Sequence, residues 1–593
     1  MAGAARPSRR PRFDSKPEQR RREVALSRMS SIASPLVRSI AGLQGLGRRA
    51  PLWSVAVALA VAALVLTPVV SLARIALSGS EVWRRLVTDV LPIALFETSA
   101  LLAGVAVLAG VVGVGTAWLV TAHDFPMRRT LAWMLPLPLA VPTYITAYIY
   151  VELLDAGGSV QTALRAATGW SVRDYWFPEI RSLGGCIFVM SAVLYPYIYL
   201  TARTMFLTQS ACMMEVARTL GAGRLELFRT VALPLARPAL AVGLSLALLE
   251  ALNDIGASEF LGVRTLTVSV YVTWLNRGSL PGAAQIACAM LIIVLALIWL
   301  ERRGRSDRRY ALSTRRPRVA QPIPLPRRSG VLAALACALP VLFGFAIPLG
   351  FLISETIGRG LIAQADRAFV DALVTTLGLS LAATAAVLAL GIVVVTAARL
   401  SRSGPMQAAK AIAGIGYALP GAVLALGLMG PLVGVDTVLN GLWSLVSGDR
   451  LGLILMGSAG GVVVAYAVRF LPIAVGSLSA GLDRVSAGVE DAARTLGARS
   501  RELVLRVQLP LLRPALASAA LLVFVDCLKE LPATLLLRPV GAETLATAVY
   551  GAAVRGTFEE GALAALVIVA VGVWPVIRLT GAAEARARSR SGS

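Results

Sequence analysis

The stretch that decides the fold is Glu215-Val-Ala-Arg-Thr-Leu-Gly221-Ala, which is followed by Leu233-Pro234. It returns as Asp491-Ala-Ala-Arg-Thr-Leu-Gly497-Ala, which is followed by Leu509-Pro510. The offset between the two copies is constant, because 497 − 221 and 510 − 234 both equal 276. A constant offset over this distance indicates a duplicated half that was fused in tandem, with both copies running in the same direction.

Around these stretches the chain is too apolar for a soluble protein. Hydrophobic residues make up 57% of it, charged residues 15%, and its mean hydropathy is +0.73, whereas soluble domains carry about 25% charged residues. Apolar runs of about 20 residues recur, the length of a helix that crosses a ~30 Å bilayer core. They predict an all-α membrane protein with about twelve transmembrane helices, arranged as two parallel six-helix repeats. The predicted spans are 51–77, 94–121, 131–154, 183–206, 238–262, 281–300, 331–354, 372–398, 409–433, 451–478, 514–537 and 561–580.

The basic residues set the predicted orientation. The net charge is +24, and the arginines concentrate in the tails, in the linker between the repeats and in loops 203–237 and 482–513. Because cytoplasmic loops are rich in Lys and Arg, both termini and these loops are predicted to be cytoplasmic, which also argues against nucleic-acid binding. The predicted divisions are a basic cytoplasmic tail (1–50), a first repeat (51–300), a basic Pro-rich cytoplasmic linker (301–330), a second repeat (331–580) and a cytoplasmic tail (581–593).

The inventory of reactive side chains argues against an enzyme. The five cysteines have no paired spacing, and His123 is the only histidine. A His/Cys metal centre is therefore not expected, and no catalytic constellation is evident. The chain also contains no Gly-Lys pair, so it lacks the Walker A signature and is not expected to bind ATP by that route.

Each copy of the repeated stretch is predicted to form a short helix, a turn and a second helix. Glycine supplies the turn dihedrals at Gly221 and Gly497, and Pro234 and Pro510 redirect the chain into the next span. Such loops could simply connect two spans. Their sequences are far more similar than those of the surrounding spans, however, which favours a partner that both copies bind.

The two stretches resemble the cytoplasmic EAA loop of ABC importer permeases, although Val216 and Asp491 stand where that family usually has Ala and Glu. In the family this loop forms a coupling helix that docks in a groove of the ATPase subunit. The resemblance implies a multi-pass permease subunit in the bacterial inner membrane. Its expected partners are two copies of an ABC ATPase subunit, which would bind ATP and Mg, and a periplasmic substrate-binding protein; no cofactor is expected in this chain. The coupling residues it implies are Glu215, Ala217, Gly221, Pro234, Asp491, Ala492, Ala493, Gly497 and Pro510.

A narrower resemblance follows each loop. Lys529-Glu-Leu-Pro-Ala-Thr and Thr544-Leu-Ala-Thr-Ala-Val-Tyr550, like Asn253-Asp-Ile-Gly-Ala and Thr265-Leu-Thr-Val-Ser-Val-Tyr271, are similar to ferric-iron importer permeases. The fused two-half layout is also typical of that branch. Ferric iron is therefore the expected substrate, while thiamine, polyamine and other small-solute permeases are close relatives.

The fifth predicted span of each half carries carboxylates. Glu250 and Asp254 are spaced i, i+4, and Asp526 and Glu530 repeat that spacing, with Lys529 beside them. Residues at this spacing share one helical face, and ionised groups in a bilayer cost at least ~2.5–3.5 kcal/mol unless paired or hydrated. One interpretation is that they line a central passage for a hard cation. The other is that they only join helices, with Lys529 neutralising Asp526 or Glu530.

Other features allow weaker predictions. Pro136, Pro138 and Pro142 are predicted to kink the third span. Three aromatic residues of the longest external loop are predicted to anchor at the lipid interface, with contact to a delivery protein as the alternative; they are Trp170, Tyr175 and Trp176. An ion-gradient-driven secondary transporter could also use the membrane carboxylates, but it would not need the doubled loop.

Overall fold

The computed structural model describes residues 52–79, 81, 83–208, 219, 223–306, 322–401 and 403–591. Most of these residues are helical, because a segment in lipid must satisfy its backbone hydrogen bonds internally. The two strands of the described chain, β1 (His123–Asp124) and β2 (Ile323–Pro324), have two residues each.

The helices follow one another in the same order in both halves. In the first half they are α1 (Leu52–Leu77), α2 (Leu91–Ala122), α3 (Arg128–Met134), α4 (Thr143–Leu154), α5 (Ser159–Thr168), α6 (Leu183–Thr208), α7 (Leu233–Asn253), α8 (Gly256–Phe260), α9 (Leu266–Leu275) and α10 (Leu280–Ser306). In the second half they are α11 (Arg327–Val341), α12 (Ile347–Gly358), α13 (Arg367–Ser401), α14 (Gly404–Ala413), α15 (Gly421–Ser447), α16 (Ala459–Leu482), α17 (Ala487–Thr495), α18 (Leu509–Leu528), α19 (Pro532–Leu537), α20 (Leu545–Val554) and α21 (Ala562–Ser591).

Twelve candidate membrane spans result. Within the described ranges, eleven helices are long and apolar enough to cross a membrane, and one bent pair brings the number to twelve. This confirms the predicted fold class. The bent pair joins Arg128–Ala140 to Thr143–Thr168 at an angle of 93°. Pro142 lies at the bend in an extended conformation (φ −58°, ψ 142°), so the predicted proline kink of the third span is confirmed.

The predicted ends of the two fifth spans are wrong. The sequence stays apolar to about residues 262 and 537, yet α7 ends at Asn253 and α18 ends at Leu528. In each half a break separates the long helix from a short one, α8 or α19, which points its first N–H groups at the break. A carboxylate there satisfies these N–H groups, and for this reason the chain can leave the helix inside the membrane.

Close helix packing repeats in the two halves. A Cβ built on Gly113 of α2 would lie 2.9 Å from the Tyr195 carbonyl oxygen of α6, and one built on Gly391 of α13 would lie 2.8 Å from the Ala474 Cβ of α16. Small residues allow membrane helices to approach this closely. The pairs α2–α6 and α13–α16 are therefore the corresponding cores of the two repeats.

The first helices are exchanged between the halves. Helix α1 packs against α14 and α15 of the second half, as well as α10, while α11 packs against α2 and α3, and α12 against α4. A Cβ built on Gly427 of α15 would lie 2.2 Å from the Pro68 carbonyl oxygen of α1. The two repeats are thus interlocked and not merely side by side.

A short strand pair fixes the start of the second half to the first. Strand β2 pairs in parallel with β1, in the register His123 to Ile323 and Asp124 to Pro324. The Leu325 N–H donates to the Asp124 carbonyl oxygen at 3.0 Å. The end of the linker therefore lies against the turn between α2 and α3.

Candidate functional site

The repeated loop of the second half forms the predicted helix, turn and helix. Asp491, Ala492 and Ala493 lie in α17, and Gly497 follows it with φ +86°. Pro510 is in the first turn of α18, and Pro234 has the same place in α7. The other implied coupling residues of the first half, Glu215, Ala217 and Gly221, lie outside the described residues.

One face of α17 is exposed, and the opposite face packs against the rest of the protein. Asp491 and Ala492 are exposed, and so is Leu496, an apolar residue with 88% of its surface accessible. On the opposite face Glu490 is buried, and its carboxylate accepts hydrogen bonds from Arg399 at 3.0 Å and from Gln508 at 3.2 Å. Sequence reasoning missed Glu490, because Met214 stands at the position 276 residues earlier and comparing the two halves gives no signal there.

A cavity that contains charged side chains lies between the two halves at the breaks after α7 and α18. Its empty space, including the open mouth, is about 690 Å³. All five predicted membrane charges line this cavity: Glu250, Asp254, Asp526, Lys529 and Glu530. The structure therefore brings together the ionisable residues that the sequence placed in separate halves.

The two carboxylates of the second half are ion-paired. Lys529 Nζ lies 2.9 Å from Asp526 Oδ1, and Arg469 of α16 lies 3.1 Å from Glu530 Oε1. Glu530 also accepts from the backbone N–H groups of Ala533 and Thr534, each at 3.2 Å. These contacts match the interpretation in which Lys529 neutralises Asp526, and they add Arg469, which the sequence analysis did not identify.

The two carboxylates of the first half have hydroxyl partners instead. The Tyr417 hydroxyl donates to Glu250, and the Thr143 hydroxyl donates to Asp254. Asp254 Oδ1 also accepts from the Ala257 N–H at 2.7 Å. In the described part of the chain, no Lys or Arg lies within 4.0 Å of either carboxylate. The negative charge of the cavity is therefore concentrated on the first half.

The prediction that each carboxylate pair shares one continuous helical face is wrong. Asp254 and Glu530 lie beyond the ends of α7 and α18, and Asp254 is extended (φ −77°, ψ 116°). Each instead caps the short helix that follows the break. The i, i+4 spacing is typical of a helical face, but it gives no sign that the helix ends between the two residues.

A hydrogen-bonded bridge joins the halves beside the cavity. The Asn253 side-chain oxygen accepts from the Gly421 N–H at 2.7 Å and from Arg469 at 3.2 Å. Because Arg469 also pairs with Glu530, one guanidinium contacts both halves. All three side chains of the bridge are buried. Val193 occupies the position 276 residues before Arg469, so the repeat gives no sequence signal for this cation.

Tyr144 adds an oxygen donor that sequence reasoning missed. It lies at the start of α4, just after the proline bend, and lines the cavity. Its hydroxyl is buried and has no hydrogen-bond partner in the described chain. Neither here nor elsewhere in the described ranges do three or more His, Cys, Asp or Glu side chains form a cluster that could hold a metal ion.

The aromatic residues of the loop that was predicted to be external follow α5. Trp170 and Tyr175 stack with ring centroids 6.1 Å apart, and Trp176 is 85% exposed. In the same loop the Ser171 N–H donates to Asp174 at 2.6 Å, and this bond lowers the pKa of Asp174. The loop is ordered by its own contacts while it presents aromatic surface outward.

Comparison with known proteins gives the same division into halves. The family model described as binding-protein-dependent transport system inner membrane component matches residues 109–304 and again residues 406–589. Each match contains one copy of the repeated loop and one set of cavity carboxylates.

Several curated relatives share part or most of the chain. The Fe(3+)-transport system permease protein FbpB 2 of Haemophilus influenzae is 22% identical over 460 residues, which is 76% of this chain and 83% of the relative. The sulfate transport system permease protein CysT of Salmonella typhimurium is 28% identical over 38% of this chain and 79% of its own length. The molybdenum transport system permease protein ModB of Escherichia coli is 29% identical over 32% of this chain and 88% of its own length.

Proposed function

Since this chain belongs to the family of binding-protein-dependent transport system inner membrane components, we propose that it forms the whole transmembrane passage of an ABC importer for ferric iron. The observation that carries the proposal is the doubled loop, because each half offers one elbow, the repeated loop around Gly221 or Gly497, to an ATPase subunit. Two ATPase subunits would bind ATP and Mg, and a periplasmic binding protein would deliver the substrate. In this arrangement both termini and both elbows are cytoplasmic.

The exposed face of α17 supports a docking role. Leu496 and Val489 are apolar and exposed beside the charged pair Asp491–Arg494, whose closest atoms are 3.0 Å apart. An apolar surface rimmed by charge is typical of a protein interface. Nucleotide-driven closure of the ATPase subunits would push on this face and move the two halves.

Replacing Gly497 by valine is expected to weaken binding of the ATPase subunit. Gly497 has φ +86°, and a left-handed conformation costs an L-residue about 1–2 kcal/mol, so the turn would rearrange and tilt α17. Co-purification of the ATPase subunit with tagged permease measures the loss. Gly488→Ala is the matched control, because Gly488 lies in the same helix, has no positive φ and has no atom within 4 Å of an added Cβ. Equal recovery of the ATPase subunit with the wild type, Gly497→Val and Gly488→Ala would contradict the docking role.

The cavity charges support a cationic substrate. Four carboxylates and two cations line it, so the formal sum is two negative charges. Among the described residues, the carboxylates of the first half have no Lys or Arg nitrogen within 4.0 Å, and the Tyr144 hydroxyl has no hydrogen-bond partner. Carboxylate and hydroxyl oxygens are the donors that hard cations prefer. One of the relatives that cover about three quarters of the chain bears a ferric name, which agrees with this charge balance.

An oxyanion is the second candidate substrate. Relatives that match about a third of the chain are named for sulfate and molybdenum, and Arg469 and Lys529 both line the cavity. Each of these cations already faces a carboxylate of its own half, however, which leaves little positive charge for an anion. Thiamine and polyamines remain alternatives of the same transporter class.

Removing the unpaired charges is expected to reduce ferric uptake. The assay uses proteoliposomes that contain the permease, its ATPase and its binding protein. Glu250→Gln with Asp254→Asn should lower the uptake of labelled ferric iron at least about tenfold. The reason is that each contact between opposite charges is worth several kcal/mol at an effective dielectric constant of 20. Glu543→Gln, at an exposed carboxylate outside the cavity, is the control. Wild-type uptake of sulfate or molybdate but not iron would assign the oxyanion class, and uptake without ATP would favour a secondary transporter.

A further inference from the structure

We infer that Glu490, Arg399 and Gln508 form the anchor that transmits motion from the second elbow to the cavity. This anchor comprises one residue from α17, one from the end of α13 and one from the π-helical segment Leu503–Gln508 that leads into α18. The inference rests on the proposed function, because it takes α17 to be the surface that the ATPase subunit pushes. None of the three residues belongs to the repeated motif itself.

The contacts of the anchor are those of a buried, ion-paired carboxylate. The Glu490 carboxylate is 2% exposed, and the same oxygen accepts from Arg399 at 3.0 Å and from Gln508 at 3.2 Å. Arg399 also donates to the Val485 carbonyl oxygen, 3.4 Å away in the segment that leads into α17. Separating a buried carboxylate from its cation is costly. A displacement of α17 therefore carries α13 and the start of α18 with it.

The two helices held by the anchor lead to the cavity charges. Helix α18 runs from Leu509 to Leu528, about 30 Å at 1.5 Å per residue, and carries Asp526 just before its end and Lys529 just after it. Helix α13 packs along α16, which bears Arg469. A push at the elbow thus reaches both ion pairs of the second half through continuous helices, which are the rigid elements that such coupling requires.

Space beside the anchor allows the Arg399 side chain to follow this motion. A cavity of about 510 Å³, its open side included, lies between α13, α14 and α16. Arg399 lines it together with Gln407, Lys410, Ser479 and Asp483. In the described structure Lys410 and Asp483 make no ion pair with Arg399 or Glu490 within 4.0 Å. They face the same space without belonging to the anchor.

The first half lacks this set of residues. Met214 and Ala232 stand 276 residues before Glu490 and Gln508. Equivalent residues of α2 and α13 are 278 positions apart, as Gly113 and Gly391 are. The residue of α2 that is equivalent to Arg399 is therefore Thr121. The set of residues that forms the anchor is therefore specific to the second half.

The test is the number of substrate molecules imported per ATP hydrolysed by the assembled importer in proteoliposomes. Glu490→Gln and Arg399→Met are each expected to keep the ATPase subunit bound and ATP hydrolysis running, while this ratio falls about tenfold, within the usual range of coupling energies. The reversed pair, Glu490→Arg with Arg399→Glu, should recover part of the ratio. Lys410→Gln and Asp483→Asn are the matched controls and should leave it unchanged.

Each other outcome has a definite meaning. An unchanged ratio in both single variants overturns the inference. A loss of uptake that only follows a loss of bound ATPase subunit also overturns it, because the anchor would then serve only to shape the docking surface. If the unmodified importer hydrolyses ATP without moving ferric iron but imports another solute, the ratio is measured with that solute. The anchor is then tested although the ferric proposal has failed.

Discussion

Arg469→Met is expected to destabilise the folded protein by about 3–5 kcal/mol, the usual cost of removing one partner from a buried ion pair. Glu530 would keep its backbone hydrogen bonds but lose the one cation that pairs with it among the described residues, and the Asn253 oxygen would keep one donor of two. Because Arg469 contacts both halves, the variant should also lose uptake. Thermal unfolding in detergent measures the first effect and proteoliposome uptake the second.

A second variant distinguishes the effect of the Arg469 charge from the effect of its side-chain packing. Arg469→Met combined with Glu530→Gln removes both ions, so it should recover much of the lost stability while uptake stays low. Lys529→Met is the comparison within the same cavity. Its pair with Asp526 is about a quarter exposed to the cavity, so removing one partner is expected to cost less than it does in the fully buried pair. Equal losses in Arg469→Met and Lys529→Met would contradict this assignment of the buried pair.

Gly427→Val is expected to prevent α1 from packing on α15. An added Cβ would lie 2.2 Å from the Pro68 carbonyl oxygen, and overpacking of this kind costs about 1–3 kcal/mol or more. Since the contact is with backbone, no side chain can turn away to relieve it. Thermal unfolding should show the loss. Gly434→Val is the control in the same helix, because nothing lies within 4 Å of its added Cβ.

A cysteine pair reports the position of α1 directly. A Cβ built on Gly430 lies 3.0 Å from Ser71 Oγ, so Ser71→Cys with Gly430→Cys should form a disulfide on oxidation. Adding Gly427→Val to this pair should abolish the crosslink, whereas adding Gly434→Val should leave it. A crosslink that survives Gly427→Val would show that α1 keeps its place on the second half.

The sequence was enough to predict the duplication and the number of spans, because both depend on local hydropathy and on a motif compared with its own copy. The proline bend in the third span could be predicted for the same reason. The ends of the fifth spans could not, since the residues after Asn253 and Leu528 remain apolar and only the hydrogen bonds of Asp254 and Glu530 show the break. A hydropathy pattern cannot predict such hydrogen bonds.

The candidate site was predicted only in part. The four carboxylates and Lys529 were identified from their spacing, but their partners come from helices far away in sequence. Arg469 is 61 residues from Glu530, and Tyr417 is 167 residues from Glu250. Neither partner has a counterpart of the same kind in the other half, so comparing the repeats could not reveal them. Glu490 could not be predicted for the same reason, although it lies next to the motif.

The exchange of first helices has a consequence for how the protein is made. Helix α1 ends at Leu77, while its packing surface on α14 begins at Gly404, roughly 330 residues later. At ordinary synthesis rates of 5–20 residues per second, the ribosome needs roughly 15–65 s to supply that surface. Until then, newly inserted α1 faces lipid or an insertion factor on that side. Maturation of the N-terminal half therefore waits for translation of the C-terminal half.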